Sequence, residues 1–365
     1  MTSLLSLERY LPPYRYHQQE VTRWVREWLL SPPEPGCEAQ GTGAASSQRL
    51  LSVYETAGVA TRASVVPIEE VFHPGDFETQ NRKYREIACR AGADVAGRAL
   101  AASGLAASEI GLVVSVSCTG FMIPAVDAHV AEALGLGPRL ARLPITESGC
   151  AGGVVALARA ADYLAAYPDR AALVLALEFA SLTFQRWDRS ATNVVSTAIF
   201  GDGGAAAVLV GPSHPRAAEG RLRVRDCESL FFPGTAHLMG FELRNTGLQI
   251  VLDRGIAPFV RRTIVPTVED FLRARGLSRE AVSHFILHPG GRRVIEVMAE
   301  RLGLGPQDLA ATETVLAEHG NMSSVTVLFV LEEVLRTRKP APGSLGLLGA
   351  FGPGFGAELA LVEFA

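Results

Sequence analysis

Lysine is almost absent from this 365-residue chain: only Lys83 and Lys339 occur, and arginine supplies the rest of the 34 basic residues. Against 38 acidic residues the formal net charge is -4, with no block of like-signed residues. Such a surface offers no electrostatic footprint for a nucleic-acid backbone or an anionic membrane, so binding to either is disfavoured. Cysteine is scarce too. Cys37, Cys89, Cys118, Cys150 and Cys227 are odd in number, widely separated and free of any CxxC or Cys/His cluster, which argues against a disulfide scaffold and a structural zinc. No apolar run reaches the 18 or so residues of a spanning helix, and the start lacks a basic region followed by a long apolar segment, so a cytoplasmic protein is expected. The chain does have 48% hydrophobic residues and 36 glycines, enough for a large core in two domains or one duplicated unit.

The apolar pattern divides into elements. Glu20 to Leu30 places Val21, Trp24, Val25, Trp28 and Leu29 on one helical face, stopped by Pro32-Pro33, and a Pro/Gly/Ser-rich loop is expected from Pro32 to Ser47. A helical pattern follows over Asn81 to Ser103. Gly111 to Ser117, Ala171 to Leu177 and Ala205 to Val210 are short apolar runs bounded by turns, as in strands buried on both faces. The second half repeats the order: a strand at His284 to Leu287, a helix from Met322 to Leu335, and strands at Ser344 to Leu348 and Ala357 to Phe364. GCAGGVVALARAADYLAA answers GNMSSVTVLFVLEEVL, and FGDGGAAAVLVG answers FGPGFGAELALVEF. Two duplicated halves, divided as 1–213 and 214–365, would pack through their helices into a layered α/β body.

Three residues stand out chemically. Cys150, in Ser148-Gly149-Cys150-Ala151-Gly152-Gly153, precedes an apolar helix whose free N–H groups favour a thiolate. His288 in HPGG and Asn321 in HGNMSS both lie at loop ends opening onto helices. Taken singly, each has a bland explanation: a small buried residue, a hydrogen-bonded structural histidine, a helix cap. Together they form a nucleophile with a proton acceptor and a polar donor. The order Cys, His, Asn is that of papain-type peptidases, but the local sequence around Cys150 differs entirely and excludes that reading.

With FGDGGAA at 200–206 and AFGPG at 350–354, these motifs resemble the type III polyketide synthases, the chalcone synthase-like enzymes of the thiolase superfamily, in order from about Leu11 to the C-terminus. HPGG, where β-ketoacyl carrier-protein synthases of type III usually carry HQAN, favours the CoA-dependent branch. The resemblance implies a thiolase-like αβαβα fold and a homodimer, in which Ile123 matches the residue that plant members push into the partner's cavity. It also implies the chemistry: Cys150 is acylated by an acyl-CoA, malonyl-CoA loses CO2, and the carbanion attacks the acyl-enzyme. His288 would assist the thiolate and, with Asn321, hold the enolate charge, without a metal and without a cofactor beyond CoA thioesters.

By the same resemblance, Phe200 lies between the CoA tunnel and the cavity, whose wall includes Cys118, Thr119, Ala180, Thr183, Phe241, Ile250 and Ser323. Gly352, Pro353 and Gly354 form a scaffold loop, with Ala350 where the family usually has glycine. Of the cluster that binds CoA phosphates in plant members only Arg49 matches, with Ser52 and Thr56 at the other positions. Phe241 replaces a glycine of plant chalcone synthases, and Ala180 and Ile250 make the wall more apolar than theirs. The stretch from Ser181 to Gly203 is most similar to bacterial alkylpyrone and alkylresorcinol synthases, which implies a fatty acyl-CoA starter. A malonyl-primed tetrahydroxynaphthalene-type synthase, a single-condensation ketosynthase and a degenerate acyl-CoA or lipid-binding protein are the alternatives.

Overall fold

A computed structural model describes residues 1–32 and 44–365. Cys37 and most of the expected 32–47 loop lie outside the described residues, but the backbone is already helical from Ala44, so the loop ends earlier than the sequence suggests. The chain starts with β1 (Thr2–Tyr10), β2 (Tyr14–His17) and α1 (Gln18–Leu30). Val21, Val25, Trp28 and Leu29 are buried along one face of α1, and the helix stops at Ser31 because Pro32 and Pro33 cannot continue it. After α2 (Ala44–Leu51), α3 (Val53–Thr56), β3 (Thr61–Ser64) and α4 (Ile68–Phe72) comes the 27-residue α5 (Phe77–Ser103). It begins four residues before the apolar pattern because the Asp76 carboxylate accepts from the Thr79 N–H at 2.8 Å, and it ends at left-handed Gly104.

The rest of the first half runs through β4 (Ile110–Val116), α6 (Val126–Ala133), β5 (Ala141–Ile145), α7 (Gly152–Ala166), β6 (Ala171–Phe179), α8 (Ala191–Ile199) and β7 (Asp202–Val210). The second half comprises β8 (Leu222–Phe231), the hairpin β9 (Met239–Arg244) and β10 (Gly247–Leu252), then α9 (Ile256–Arg273), β11 (Val282–Leu287), α10 (Arg292–Leu302), α11 (Pro306–His319), α12 (Thr326–Glu333), β12 (Leu345–Gly352) and β13 (Gly356–Phe364).

Nine strands form one hydrogen-bonded sheet in the order β11-β12-β13-β8-β1-β7-β6-β4-β5. Its two wings meet where Thr2–Leu4 of β1 pair with Leu222–Val224 of β8. β4, β6 and β7 are buried along their whole length, as their unbroken apolar runs require, because α5 (on β6 and β7) and α6 (on β4) cover one face and α7 the other. α7 also packs on β8, β12 and β13, and α12 packs on α7, β11 and β12, so these two helices form a middle layer between the wings. This is the thiolase-like layered α/β fold. Every residue of α12 from Thr326 to Leu331 is buried, which explains why its sequence is apolar all round.

The expected helix from Met322 to Leu335 is shorter than its apolar pattern. Ser323, with φ +48°, cannot join a right-handed helix; a tight turn over Ser323–Val325 precedes α12, and a wider turn over Val334–Arg338 follows it.

Candidate active site

Cys150 sits in a single tight turn, Gly149–Ala151, that feeds directly into α7. Glycine is required on both sides. Gly149 adopts φ +45°, and a Cβ there would lie 2.6 Å from Pro353 Cδ. A Cβ on Gly153 would lie 2.3 Å from the Ser324 carbonyl oxygen. These absences let the nucleophile turn close against the loop after β12 and against the turn that follows Asn321. Gly352 approaches equally closely, since its Cβ would meet Ser148 O at 2.4 Å. The scaffold loop therefore braces the cysteine turn from above. Ala350 is an ordinary β12 residue paired with Glu358 and needs no glycine.

Asn321 is fixed by its own neighbours. Its Oδ1 accepts from the Ser323 N–H at 2.8 Å and from the Thr326 hydroxyl at 3.4 Å, which orients Nδ2 to donate to Gly290 O at 3.1 Å. One amide hydrogen remains for a ligand. Gly290 belongs to the HPGG turn, so Asn321 physically joins that turn to the nucleophile, whose thiolate its side chain favours. The backbone of Asn321 also exchanges hydrogen bonds with Ile199 and Gly201 on either side of Phe200. His288 follows directly on β11, its N–H bonded to Gly349 O at 2.8 Å, and among the described residues neither buried ring nitrogen has a hydrogen-bond partner.

The electrostatics differ from what the sequence suggests. Burial pushes the Cys150 thiol up to about 11, against the opposing pull of the Ser323 and Asn321 side chains, and burial pushes His288 down to about 3. Desolvation therefore favours a neutral thiol and a neutral imidazole and opposes the pull of the helix N-terminus.

A charged residue unmarked by sequence reasoning organises the floor. Glu178, 1% exposed at the end of β6, accepts from the Cys118 N–H at 3.1 Å, the Thr119 hydroxyl at 3.0 Å and the Ser324 hydroxyl at 2.6 Å, with the Cys118 thiol at 3.5 Å. Burial raises its carboxyl to about 7 despite those donors. A lone acidic residue closing the apolar run AALVLALEF was the available signal. Asp202 is similar, buried and raised to about 6 while accepting from Ser181 and Val65. Cys118, pushed well up first by burial and then by Glu178, is a poor nucleophile and a neutral wall residue.

One cavity opens from this floor. Cys118, Thr119, Cys150, Ala180, Thr183, Phe200, Phe241, Ile250, Ser323 and Pro353 all line it, as do Glu178 and Asp202. Phe241 and Ile250 face each other across the β9–β10 hairpin. The wall continues to α1 and α4 through Tyr16, Val21, Ile68, Val71 and Phe72, which sequence reasoning missed because nothing in their local pattern marks a ligand. His288, Asn321, Gly352 and Gly354 are not part of this wall. Arg49, Ser52 and Thr56 are exposed on α2 and around α3, away from it.

Residues 78–215 match the N-terminal domain of chalcone and stilbene synthases and residues 224–364 the C-terminal domain. The whole chain is 36% identical to a 1,3,6,8-tetrahydroxynaphthalene synthase of Streptomyces peucetius subsp. caesius, covering 93% of that protein. The chain belongs to the chalcone and stilbene synthase family. It is a type III polyketide synthase, an acyltransferase. An α-pyrone synthesis polyketide synthase-like protein of Mycobacterium tuberculosis is 32% identical over 85% of this chain and 81% of its own length. The crystal structure of 1,3,6,8-tetrahydroxynaphthalene synthase from Streptomyces coelicolor A3(2) superposes with a TM-score of 0.90 at 29% identity, covering 99% of both chains. Among the described residues, no helix is long and apolar enough to cross a membrane.

Proposed function

We propose that this synthase loads a medium- or long-chain fatty acyl group from acyl-CoA onto Cys150, extends it with malonyl-CoA, and releases an alkylpyrone or alkylresorcinol. The observation that carries the reading is the apolar wall beyond the nucleophile: Val21, Ile68, Val71, Phe72, Phe241 and Ile250 offer an alkyl chain a dry surface with few hydrogen-bonding groups.

In the cycle, the Cys150 sulfur attacks the thioester carbonyl, its proton passes to His288, and CoA leaves as the thiol. Malonyl-CoA then loses CO2. The electron pair left behind is held as an enolate on the thioester oxygen by the free Asn321 amide hydrogen and a His288 N–H; its carbon attacks the acyl-enzyme carbonyl, which expels the Cys150 thiolate and leaves the extended chain as a CoA thioester, and transfer of that chain back to Cys150 with release of CoA opens the next round. Each such donor contributes about 2.7 to 4 kcal/mol where an oxyanion develops. Among the described residues His288 has no partner for either ring nitrogen, which suits a group whose partners arrive with the substrate. These steps need no metal and no cofactor beyond the CoA thioesters, and they fit a cytoplasmic enzyme.

The working unit is a homodimer in this reading. Among the described residues, β5 is an edge strand with no partner on its outer side and is mostly exposed, Leu143 included, and Ile123 and Phe121 are exposed apolar side chains as well, Ile123 at 99%. Light scattering should give twice the 38.9 kDa chain mass.

A second reading has its own support. The full-length similarity to tetrahydroxynaphthalene synthases favours malonyl priming. Product mass spectrometry with malonyl-CoA and an acyl-CoA series from acetyl to stearoyl separates the two, with Cys150→Ala as control. Products that grow with the starter support the fatty acyl reading; products from malonyl-CoA alone overturn it in favour of malonyl priming. No product, with Cys150 no more reactive than the other cysteines, overturns both.

A further inference from the structure

The last turn of α8 leaves the carbonyls of Thr197, Ala198 and Ile199 without a helical partner, and each is claimed from elsewhere in the chain. Ile199 O accepts the Asn321 N–H at 2.8 Å. Thr197 O and Ala198 O accept from one buried guanidinium, that of Arg62 in β3, at 2.5 and 2.8 Å. The same fork reaches Phe200 O at 2.7 Å and the Gln18 side-chain oxygen at the start of α1. Gln18 doubles the support, since its amide donates to Ala198 O at 3.0 Å.

Arg62 is 6% exposed, and all four of these acceptors are neutral. Burial pulls its guanidinium down to about 10, which still leaves it charged at neutral pH, and the negative end of α8 lies in front of it. Arg62 lines the cavity, yet the hydrogens on its two terminal nitrogens are all taken by the protein, so the fork has none to offer a ligand. What it holds is the end of α8 and, one bond further, Asn321. Gly201 N–H donates to Asn321 O at 3.0 Å, and a Cβ on Gly201 would stand 3.2 Å from Arg62 Cβ and 2.3 Å from His319 O.

We propose that Arg62 is a positioning residue, whose guanidinium locks the end of α8 and thereby sets where the Asn321 amide stands when malonyl-CoA loses its CO2. The proposal rests on the reading that Asn321 holds the enolate.

Arg62→Lys keeps a cation but not the planar fork that spans three carbonyls. CO2 release from malonyl-CoA should fall roughly 10²-fold in this variant, while acylation of Cys150, read as a mass shift, stays within about twofold. Added to Asn321→Ala, the same substitution should cost less than about threefold more, because the two residues act through one donor. Should Arg62→Lys fail to fold, Gln18→Leu loosens the same clasp with Arg62 in place and should show the same split at smaller size. Hydrogen exchange reads the link without turnover: the Gly201 and Asn321 amides should exchange about tenfold faster in either variant, with β6 unchanged.

Equal loss of acylation and decarboxylation overturns the proposal, as do losses that add in full to those of Asn321→Ala. Unchanged exchange at Gly201 and Asn321 overturns it as well. An inactive wild type whose Asn321 exchange still depends on Arg62 would uphold the positioning link and overturn the proposed reaction instead.

Discussion

The Ser324 hydroxyl donates to Glu178 at 2.6 Å, and that bond ties the turn carrying Asn321 to the end of β6. The same carboxylate holds Cys118 and Thr119, so two chain segments beside Cys150 share one acceptor supplied by a third.

Glu178 should make stability pH-dependent. Its carboxyl rises from 4.5 to about 7 on folding, so the native state holds the proton more tightly than the unfolded chain. The stability this contributes is fully present below about pH 4.5 and is lost as pH climbs through 7, a swing on the order of 3 kcal/mol. Urea unfolding of wild type and Glu178→Gln at pH 5 and pH 8 should show the difference between them shifting by that order. Glu178→Ala should cost about 3 kcal/mol at pH 5 by orphaning buried donors, and less at pH 8, where the wild type has lost the protonation advantage that the variant never had. A wild type and a glutamine variant that track each other across the range would refute the assignment.

Alkylation of Cys150 should report a neutral thiol. With the thiol near 11, about one molecule in ten thousand carries the thiolate at pH 7, and the iodoacetamide rate should climb about tenfold per pH unit from 6 to 9. A plateau below pH 7 would instead reveal a thiolate–imidazolium pair with His288.

Asn321→Ala should separate loading from decarboxylation. Acylation of Cys150 should persist, seen as the mass shift of the acyl-enzyme, while CO2 release from malonyl-CoA falls roughly 10²- to 10³-fold. Equal loss of both steps would assign Asn321 to the architecture alone.

Gly153→Ala tests the contact between α7 and the Asn321 turn. The added methyl would stand 2.3 Å from Ser324 O and 2.7 Å from Val327 Cγ1. Forcing them apart should cost about 1–3 kcal/mol of stability, read as a lowered Tm. Condensation should fall further than the folded fraction does, because the displaced turn carries Asn321.

The sequence made the framework and the triad legible for different reasons. Strands buried on both faces must be unbroken apolar runs, so β4, β6 and β7 could be read directly, and the matched GCAGG and GNMSS segments correspond to the two helices of the middle layer. β9 and β10 alternate weakly and pack beside the cavity rather than in the main sheet, so their pattern carried little. The cavity's reach to Val21 and Phe72 depends on α1 packing against both α4 and α8, a long-range event that leaves no local trace. Proton affinities were least legible of all. The helix start beside Cys150 is written in sequence, whereas the depth of burial that overrides it exists only after folding.

Cys150 stands at a boundary, with the wall to α1 and α4 on one side and the His288–Asn321 turns on the other. Under the proposed cycle, the extended chain leaves the sulfur as a CoA thioester and is loaded back onto Cys150 one two-carbon unit longer, so that its older units move toward Val21 and Phe72. Product size then becomes a matter of when the far wall is met, as a plunger is stopped by the end of its barrel, and a bulky side chain at Val21 should act as a counter set to fewer strokes.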